Sequence, residues 1–378
     1  MTAASVQAEN KTRENKTREN KTRANNIELL RIIAMLMIVS HHFVFHGEAL
    51  RQTAVFSVNW FFSWTVEAVS VAAVNCYVLI SGYFLVTSRF KVKKLIRLWL
   101  EVLFYSAGIY LLLTGLGLEH FSIRHLAGAF LPVLTNQYWF ATVYIAMYIF
   151  SPFLNISINA LSKRQFLNLL IILFAMLSIW PTVLPFGYSL DRTNGYSIIQ
   201  FVFLYFIGAY LRLHWNYELK KGYYIGAYIL ISIIVLASKV MFTYLGLEEG
   251  ISYLLFEYNS VTIVLSSVML FLFFRSISLK NALLNKLIGS VSVLTFGVYL
   301  IHDNVHVQGM LYKKVFHTGL FMNTPLFIPL AVGSVVGIFT ACICIDAVRK
   351  KIFEAFEGSR FSNIIQEKIS LSLNNRNL

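Results

Sequence analysis

The feature that most constrains this chain is a series of apolar stretches, each about as long as a bilayer is thick. A hydrocarbon core of about 30 Å requires roughly 20 apolar residues in a helix. Ten such stretches are predicted in the 378 residues: Ile27–His46, Val66–Val86, Leu95–Leu116, Tyr138–Ala160, Phe166–Leu184, Ile198–Leu213, Tyr223–Leu245, Ile251–Phe274, Leu287–Val305 and Thr324–Ala347. We therefore predict an all-α fold, a polytopic membrane bundle of about ten transmembrane helices.

The composition supports this class. Hydrophobic residues make up 57% of the chain and charged residues 13%, whereas soluble domains average about 45–50% and about 25%. The formal net charge is +14. In a polytopic membrane protein such an excess belongs to cytoplasmic loops. We expect membrane lipids as partners and no nucleic acid.

The distribution of basic residues predicts the orientation. With the N-terminus inside, the inner loops carry eleven Lys and Arg residues and the outer loops carry five. By the positive-inside rule, an even number of spans then places both termini in the cytoplasm. We expect a multi-pass protein of the cell membrane, in a bacterium the plasma membrane. The inner residues are Arg89, Lys91, Lys93, Lys94, Lys163, Arg164, Lys220, Lys221, Arg275, Lys280 and Lys286, and the outer ones are Arg51, Arg124, Arg192, Lys313 and Lys314.

The chain divides into three predicted regions. Residues 1–25 repeat the sequence ENKTR three times between Glu9 and Arg23, without an apolar face. Such a polar segment cannot offset its ordering entropy, so a disordered tail is expected. Residues 26–350 form the transmembrane domain and residues 351–378 a cytoplasmic tail. No soluble domain fits in the loops, which places any activity inside the bundle or at its rim.

The first apolar stretch carries the strongest functional signal. Arg31 and His42 are eleven residues apart in "ELLRIIAMLMIVSHH". That spacing is three turns plus about 20°, so the two side chains share one side of the helix about 16 Å apart. Ionisable groups within spans indicate function. The alternative is that Arg31 snorkels to the headgroups while His42 satisfies a buried hydrogen bond.

Two neighbouring histidines are weaker candidates. His41 points about 100° away from His42, and His46 lies one turn beyond it. His42 and His46 share a face and could bind zinc, but no H-E-x-x-H pattern or nearby carboxylate supports this. We therefore predict no metal site.

A second segment suggests a phosphate-binding region. Ser81 and Gly82 interrupt an apolar helix near its cytoplasmic end, where glycine permits close approach of a backbone or a ligand. Lys94 and Arg97 follow, one helical turn apart, and can clamp phosphates. The alternative is an ordinary basic loop of the inner side.

Two further stretches suggest contacts with substrate on the outer side. Trp139 opens a span, although an aromatic interface belt would also place a tryptophan there. His302 and Asp303 end another span, and an aspartate beside a histidine can orient or charge it, as in general-base arrangements. Interfacial solvation of this pair is the alternative.

Together these motifs resemble the acyltransferase-3 family of membrane acyltransferases, over about Asn26 to Arg349. The most specific element is the Arg and the His eleven residues later in the first span. The segments "ISGYF" (80–84), "YWF" (138–140) and "GVYLIH" (297–302) are similar to later family motifs. The resemblance is to the stand-alone form, which has no additional hydrolase-like domain.

This resemblance implies an O-acetyltransferase that takes acetyl-CoA, or a related acyl-CoA, as co-substrate and holds no permanent cofactor. It implies that His42 and Arg31 are catalytic, that Ser81, Gly82, Lys94 and Arg97 contact the donor, and that a surface polysaccharide or lipid-linked sugar accepts the acyl group. The family has R-x-x-R where this chain reads "KLIR" (94–97), and Lys lacks the bidentate geometry of Arg. We place Trp139, His302 and Asp303 on the acceptor side. A transporter or flippase of lipid-linked sugars would also fit buried ionisable groups and a basic rim, whereas a structural scaffold would not explain Arg31 and His42.

Overall fold

The chain folds as helices throughout its described part. This computed structural model describes residues 3–184, 193–247 and 249–357, with side chains from Asn25 to Ala355 apart from that of Glu249. All regular secondary structure among these residues is helical, which confirms the predicted all-α class. Helices are expected because an apolar segment in lipid must satisfy its backbone hydrogen bonds internally.

Thirteen helices of eight or more residues build the bundle in the described ranges: α1 (Ala3–His46), α2 (Val58–Ser70), α3 (Ala73–Leu85), α4 (Val92–Gly115), α5 (Ile123–Phe130), α6 (Trp139–Ala160), α7 (Lys163–Phe174), α8 (Ile198–Leu213), α9 (Lys221–Tyr244), α10 (Val261–Ser276), α11 (Ala282–Ser292), α12 (Thr295–His302) and α13 (Phe327–Glu357). Short helical turns extend or connect them: Ala49–Gln52, Ala175–Ile179, Trp180–Val183, Glu249–Ser252, Leu254–Phe256, Gln308–Met310, Leu311–Val315 and Thr318–Phe321.

Eight segments of the described chain are long and apolar enough to cross a membrane: Asn25–His46, Val58–Leu85, Val92–Gly115, Trp139–Ala160, Lys163–Val183, Lys221–Tyr244, Leu254–Ser276 and Phe327–Ala355. The pair α11 and α12 makes a ninth if its 40° bend lies within one span. The helix α8 has only 16 residues. Each of the ten predicted stretches overlaps at least one helix, but helix length supports eight or nine spans. The chain is a multi-pass membrane protein.

The first helix is longer than its membrane segment. Its backbone is helical from Ala3 onward and so includes the ENKTR repeats, where we predicted a disordered tail. The segment that can cross the membrane begins at Asn25. The predicted division into an N-terminal tail, a membrane domain and a C-terminal tail stays a prediction, and residues 358–378 lie outside the described residues.

The membrane segment of α1 lies inside the bundle. It packs against α2, α3, α10, α11, α12 and α13. Leu30, Ala34 and Val39 on this helix are completely buried. Protein therefore surrounds much of the helix, and its polar side chains can face polar groups of other helices.

The helices α3 and α8 touch through two glycines. A Cβ atom on Gly82 would overlap the backbone of Tyr205, and one on Gly208 would overlap the carbonyl oxygen of Leu79. Small residues allow this close approach of backbones between membrane helices. The short helix α8 is thereby held against α3.

A buried ionic network joins α4 to α13. The Arg349 guanidinium binds both carboxylate oxygens of Asp346, at 2.8 and 2.9 Å, and lies 3.0 Å from Oε1 of Glu101. Tyr105 donates a hydrogen bond to Asp346 at 2.7 Å. A Cβ atom on Gly297 of α12 would overlap the Asp346 side chain. One buried cation thus pairs with two buried carboxyl groups, which gives each of them a partner inside the bundle.

The two ends of the bundle differ in chemistry. We call the end where α1 finishes at His46 and α12 at His302 the histidine face. We call the opposite end, where α4 begins next to Lys93 and Lys94, the basic face. By the positive-inside rule we expect the basic face to be cytoplasmic.

Candidate active site

Histidines from two helices meet at the histidine face. His42 lies in the last two turns of α1, and His302 is the final residue of α12. Packing of α12 against α1 brings these residues together across 260 positions of sequence. Both side chains are buried, so their polar atoms must find partners within the protein.

A chain of hydrogen bonds assigns the proton positions. Nδ1 of His42 lies 2.9 Å from Nε2 of His302, and Nδ1 of His302 lies 2.5 Å from the carbonyl oxygen of Val298. Because a carbonyl only accepts, neutral His302 carries its proton on Nδ1 and accepts at Nε2. His42 then donates from Nδ1, which leaves a lone pair on its Nε2. A nitrogen in this form can act as a base or a nucleophile.

Asp303 places a carboxylate beside two of the histidines. Its Oδ1 lies 3.4 Å from Nδ1 of His42 and 3.3 Å from Nε2 of His46. A negative charge at this distance stabilises an imidazole that gains a proton. We predicted His302 and Asp303 to contact substrate, and the structure places both directly against His42.

Tyr312 closes the far side of this cluster. Its ring stacks on that of His46, with the centroids 5.9 Å apart, and its side chain is fully buried. Burial raises the pKa of Tyr312, and the charge of Asp303 acts in the same direction. The phenol therefore stays neutral near pH 7 and adds no negative charge to the cluster.

A second histidine and carboxylate pair lies next to the first. Nδ1 of His41 lies 2.6 Å from Oε2 of Glu67 on α2, and the ring centroid of His41 is 5.3 Å from that of His42. We predicted that His41 points away from His42, and it does face a different helix. We did not predict Glu67 as a partner of His41, because a contact between residues 26 positions apart cannot be inferred from helical spacing.

Three aromatic side chains form a cluster in the same part of the bundle. The ring of Trp139 lies 4.4 Å from that of Tyr196 and 5.9 Å from that of Tyr258, measured between centroids. Partial burial raises the pKa of Tyr196 to about 12, and the charges of Glu67 and Asp303 act in the same direction. We predicted Trp139 to bind substrate but missed the two tyrosines. Tyr196 is exposed, Trp139 is half-buried and Tyr258 is buried, so only the first two rings present aromatic surface. Binding of substrate by Trp139 stays a prediction.

Toward the basic face, Arg31 has a partner that we did not predict. Its Nη1 lies 2.6 Å from Oε2 of Glu28, and its carbonyl accepts a hydrogen bond from Tyr77 at 2.8 Å. The Arg31 side chain remains 27% exposed. None of the four cavities of 350–580 Å³ described in this structure is lined by Arg31 or His42.

Two exposed cations begin α4 at the basic face. The Nζ atom of Lys94 lies 5.2 Å from the ring centroid of Tyr148 and is near enough to Arg31 for the two charges to repel. Arg97 is exposed one turn later and interacts electrostatically with Glu101. Cations grouped in this way attract phosphate groups.

The predicted cofactor contacts of Ser81 and Gly82 stay untested. The Oγ atom of Ser81 lies 2.9 Å from the carbonyl oxygen of Tyr77 and 3.3 Å from the Tyr144 hydroxyl. Gly82 packs against Tyr205. Both residues therefore have structural contacts, whether or not a donor also reaches them.

The family of the chain follows from a match over most of its length. The model of the acyltransferase-3 family, described as an acyltransferase domain, matches residues 25–345. The chain belongs to the acyltransferase-3 family. Neither a curated protein nor a solved structure matches it. The histidine cluster of this membrane acyltransferase lies within the matched region, where the family's chemistry is expected.

The acyltransferase also carries a potential metal-ligand set at this site. The ligand atoms of His42, His46 and Asp303 lie within 4.8 Å of one another. Asp303 thus supplies the carboxylate that the sequence did not show. However, Nδ1 of His42 faces Asp303 and also donates to His302. A metal on this nitrogen would break that hydrogen bond, so the geometry favours the hydrogen-bonded arrangement over a metal ion at these three residues.

Proposed function

We propose that the acyltransferase moves an acetyl or similar acyl group from cytoplasmic acyl-CoA to a hydroxyl of a surface polysaccharide or lipid-linked sugar, in the cell membrane. The observation that carries this proposal is the hydrogen-bond chain from Val298 through His302 to His42. It leaves Nε2 of His42 unprotonated. An unprotonated buried imidazole is what deprotonation of a hydroxyl requires.

The proposed chemistry is a direct transfer. The acceptor hydroxyl oxygen attacks the carbonyl carbon of the thioester while its proton passes to Nε2 of His42. The carbon–sulfur bond then breaks, and the proton moves from His42 to the departing sulfur. The products are an ester and free CoA thiol. Asp303 stabilises the charge on His42 between these two proton transfers.

The same lone pair supports a second route. Nε2 of His42 can attack the thioester itself and carry the acyl group to the acceptor. Rapid acid quench of a reaction with [14C]acetyl-CoA and no acceptor separates the two routes. Label bound to the protein indicates the acyl-histidine route, whereas unlabelled protein indicates direct transfer.

The proposed donor site lies at the basic face. Lys94 and Arg97 would bind the anionic nucleotide part of CoA, with Arg31 nearby. The helix rise places Arg31 about 16 Å from His42 along α1, a distance that a pantetheine arm can span. In the orientation that we predict, with both termini in the cytoplasm, the donor enters from the cytoplasm and the acceptor reaches His42 from the opposite side.

The proposal predicts loss of transfer without His42. Membranes that contain the protein are incubated with [14C]acetyl-CoA, and the label that mild base releases from the glycan fraction is counted. We expect His42→Ala to reduce this label at least about 100-fold. His120→Ala, a change at an exposed histidine, is the matched control and should retain wild-type transfer.

Two outcomes would contradict the proposal. Undiminished transfer by correctly inserted His42→Ala protein would exclude His42 as the base. Movement of a lipid-linked sugar across the membrane without acyl-CoA, lost in His42→Ala, would indicate a flippase. Label found in a lipid or small glycoside, and absent from glycan, would change the proposed acceptor and leave the role of His42 as it stands.

A further inference from the structure

A second cluster of histidine and carboxylate side chains lies beyond the active site. Glu119 follows α4, His125 belongs to α5, and His306 follows α12. Oε1 of Glu119 lies 3.7 Å from Nδ1 of His125 and 3.6 Å from Nδ1 of His306. The ligand atoms of all three residues lie within 4.8 Å of one another.

These separations match a metal site better than a hydrogen-bonded cluster. Hydrogen bonds between nitrogen and oxygen have lengths of about 2.7–3.2 Å, which is shorter than both distances to Glu119. Ligand atoms about 2.0–2.2 Å from a tetrahedral zinc ion lie about 3.3–3.6 Å apart. The 3.6 Å distance from Glu119 to His306 lies at the top of this range, and the 3.7 Å distance from Glu119 to His125 exceeds it by about 0.1 Å, which a small side-chain rotation can close.

Buried neighbours hold the three ligands in place. The ring of Tyr110 lies 5.1 Å from that of His306 and 6.3 Å from that of His125, between centroids. Tyr110 is fully buried, accepts a hydrogen bond from the amide of Ser122 at 2.8 Å and lies 3.0 Å from its carbonyl oxygen. It therefore fixes the segment between Glu119 and His125.

His306 is positioned from the other side. Its amide donates to Oδ1 of Asn304 at 2.9 Å, and Nδ2 of Asn304 donates to the Tyr138 hydroxyl at 2.6 Å. Asn304 and Tyr138 are both buried. Metal ligands need such fixed surroundings, because supporting hydrogen bonds set the orientation of the ligands.

We propose that Glu119, His125 and His306 bind one zinc ion at the histidine face. Two imidazoles and one carboxylate are a ligand set that leaves a fourth position open. The three residues line a cavity of about 460 Å³ that Met310 and Lys314 also line. The open position can hold a water molecule. It can also hold an anionic oxygen, because the Lys314 ammonium lines the same cavity. The ion would tie the segment after Asp303 to α5, so the proposal concerns binding and does not depend on acyl transfer.

The sequence did not reveal this site. Glu119 and His125 are six residues apart, and His306 lies 181 positions beyond His125. No short motif joins them, and only the packing of the segment after α12 against α5 brings them together. We predicted no metal site, because His42 and His46 have no H-E-x-x-H pattern and no carboxylate close to them in the sequence.

The test is zinc binding by the purified full chain in detergent, without a histidine tag. Chelator-treated protein is equilibrated with zinc at micromolar concentration, and bound metal is measured by mass spectrometry together with the thermal midpoint. Wild-type protein should bind one zinc per chain and gain thermal stability. Loss of a residue that hydrogen-bonds to a metal ligand typically weakens metal affinity roughly 10–100-fold. We expect a larger loss of zinc affinity when a ligand itself is replaced, in His125→Ala, Glu119→Gln and His306→Ala.

Two matched controls separate this site from the active site. His46→Ala removes a ligand of the other cluster, and His120→Ala removes an exposed neighbour of Glu119. Both should still bind one zinc. Failure of the wild-type protein to bind zinc would overturn the proposal, and so would binding that His46→Ala abolishes and His125→Ala leaves intact. Glu119→Gln preserves side-chain shape, so it tests the ligand even if the His306 variant does not fold.

Discussion

Nδ1 of His42 and Nε2 of His302 face each other at 2.9 Å across two helices. The bond from His302 to the Val298 carbonyl gives this contact a direction, because it makes His302 the acceptor. The tautomer of His42 is therefore selected by His302, 260 positions away, which is itself oriented by the carbonyl of Val298 one turn earlier in α12. In serine hydrolases a carboxylate selects the tautomer of the catalytic histidine, whereas a second imidazole selects the tautomer of His42.

The first expectation concerns His302. His302→Ala removes the acceptor and should lower kcat by about 10²–10⁴-fold, while KM for acyl-CoA changes little. His302→Gln should restore part of the rate, because its amide oxygen can accept from Nδ1 of His42. Steady-state kinetics with [14C]acetyl-CoA measure both constants. Equal rates for His302→Ala and wild type would show that His302 does not set the tautomer.

The second expectation concerns the donor site. Lys94→Ala should raise KM for acyl-CoA about tenfold or more, since hydrogen bonds to charged groups contribute about 1.5–3 kcal/mol. Lys94→Arg should remain near wild type, because the positive charge is kept. Lys163→Ala, another basic change on the predicted inner side, is the control. A similar rise in both alanine variants would indicate general charge attraction without a specific contact at Lys94.

The third expectation concerns the buried ionic network. Arg349→Ala leaves Glu101 and Asp346 without their cation and should lower the free energy of unfolding by about 3–5 kcal/mol. The change is measured as a lower thermal midpoint in detergent. Lys350→Ala, at a side chain 42% exposed and 4.0 Å from Glu354, should change stability by no more than about 0.5 kcal/mol. Equal midpoints for the two variants would contradict the structural role of Arg349.

The fourth expectation concerns the contact between α3 and α8. Gly82→Ala forces a methyl group into the backbone of Tyr205 and should cost about 1–3 kcal/mol of stability. Gly226→Ala on α9 has open space around its new Cβ and should leave stability unchanged or improve it by about 0.5–1 kcal/mol. Thermal midpoints of the two variants test the difference. A stable Gly82→Ala protein would show that the helices can separate.

Helical periodicity identified His42 but not its surroundings. Apolar length predicted the helices, and the eleven-residue spacing placed Arg31 and His42 on one side of α1. Periodicity reports the direction of a side chain, and it does not report which helix lies opposite. The contacts of His42 with His302 and of His41 with Glu67 depend on how the helices pack. The ion pair between Arg31 and Glu28 lies within α1, but the sequence does not show which nearby charge Arg31 will bind.

The number of spans exposes another limit of the sequence. α8 is apolar throughout but has 16 residues, and α11 and α12 are separated by a 40° bend. Hydropathy finds such segments without showing whether they cross the bilayer. We predicted a substrate contact for Trp139 from its position at the start of α6. Tyr196 and Tyr258 come from distant parts of the chain and contact Trp139 only in the folded bundle.

The contact of Asp346 with Gly297 gives the ionic network a second use. Asp346 and its partner Arg349 lie just beyond the end of the family match at residue 345. The Asp346 carboxylate nevertheless packs directly against Gly297 of α12. Because His302 is the last residue of α12, the position of this helix determines the position of the His302 ring. A chain shortened to residue 345 would keep the histidine cluster and lose the Asp346 side chain that contacts α12.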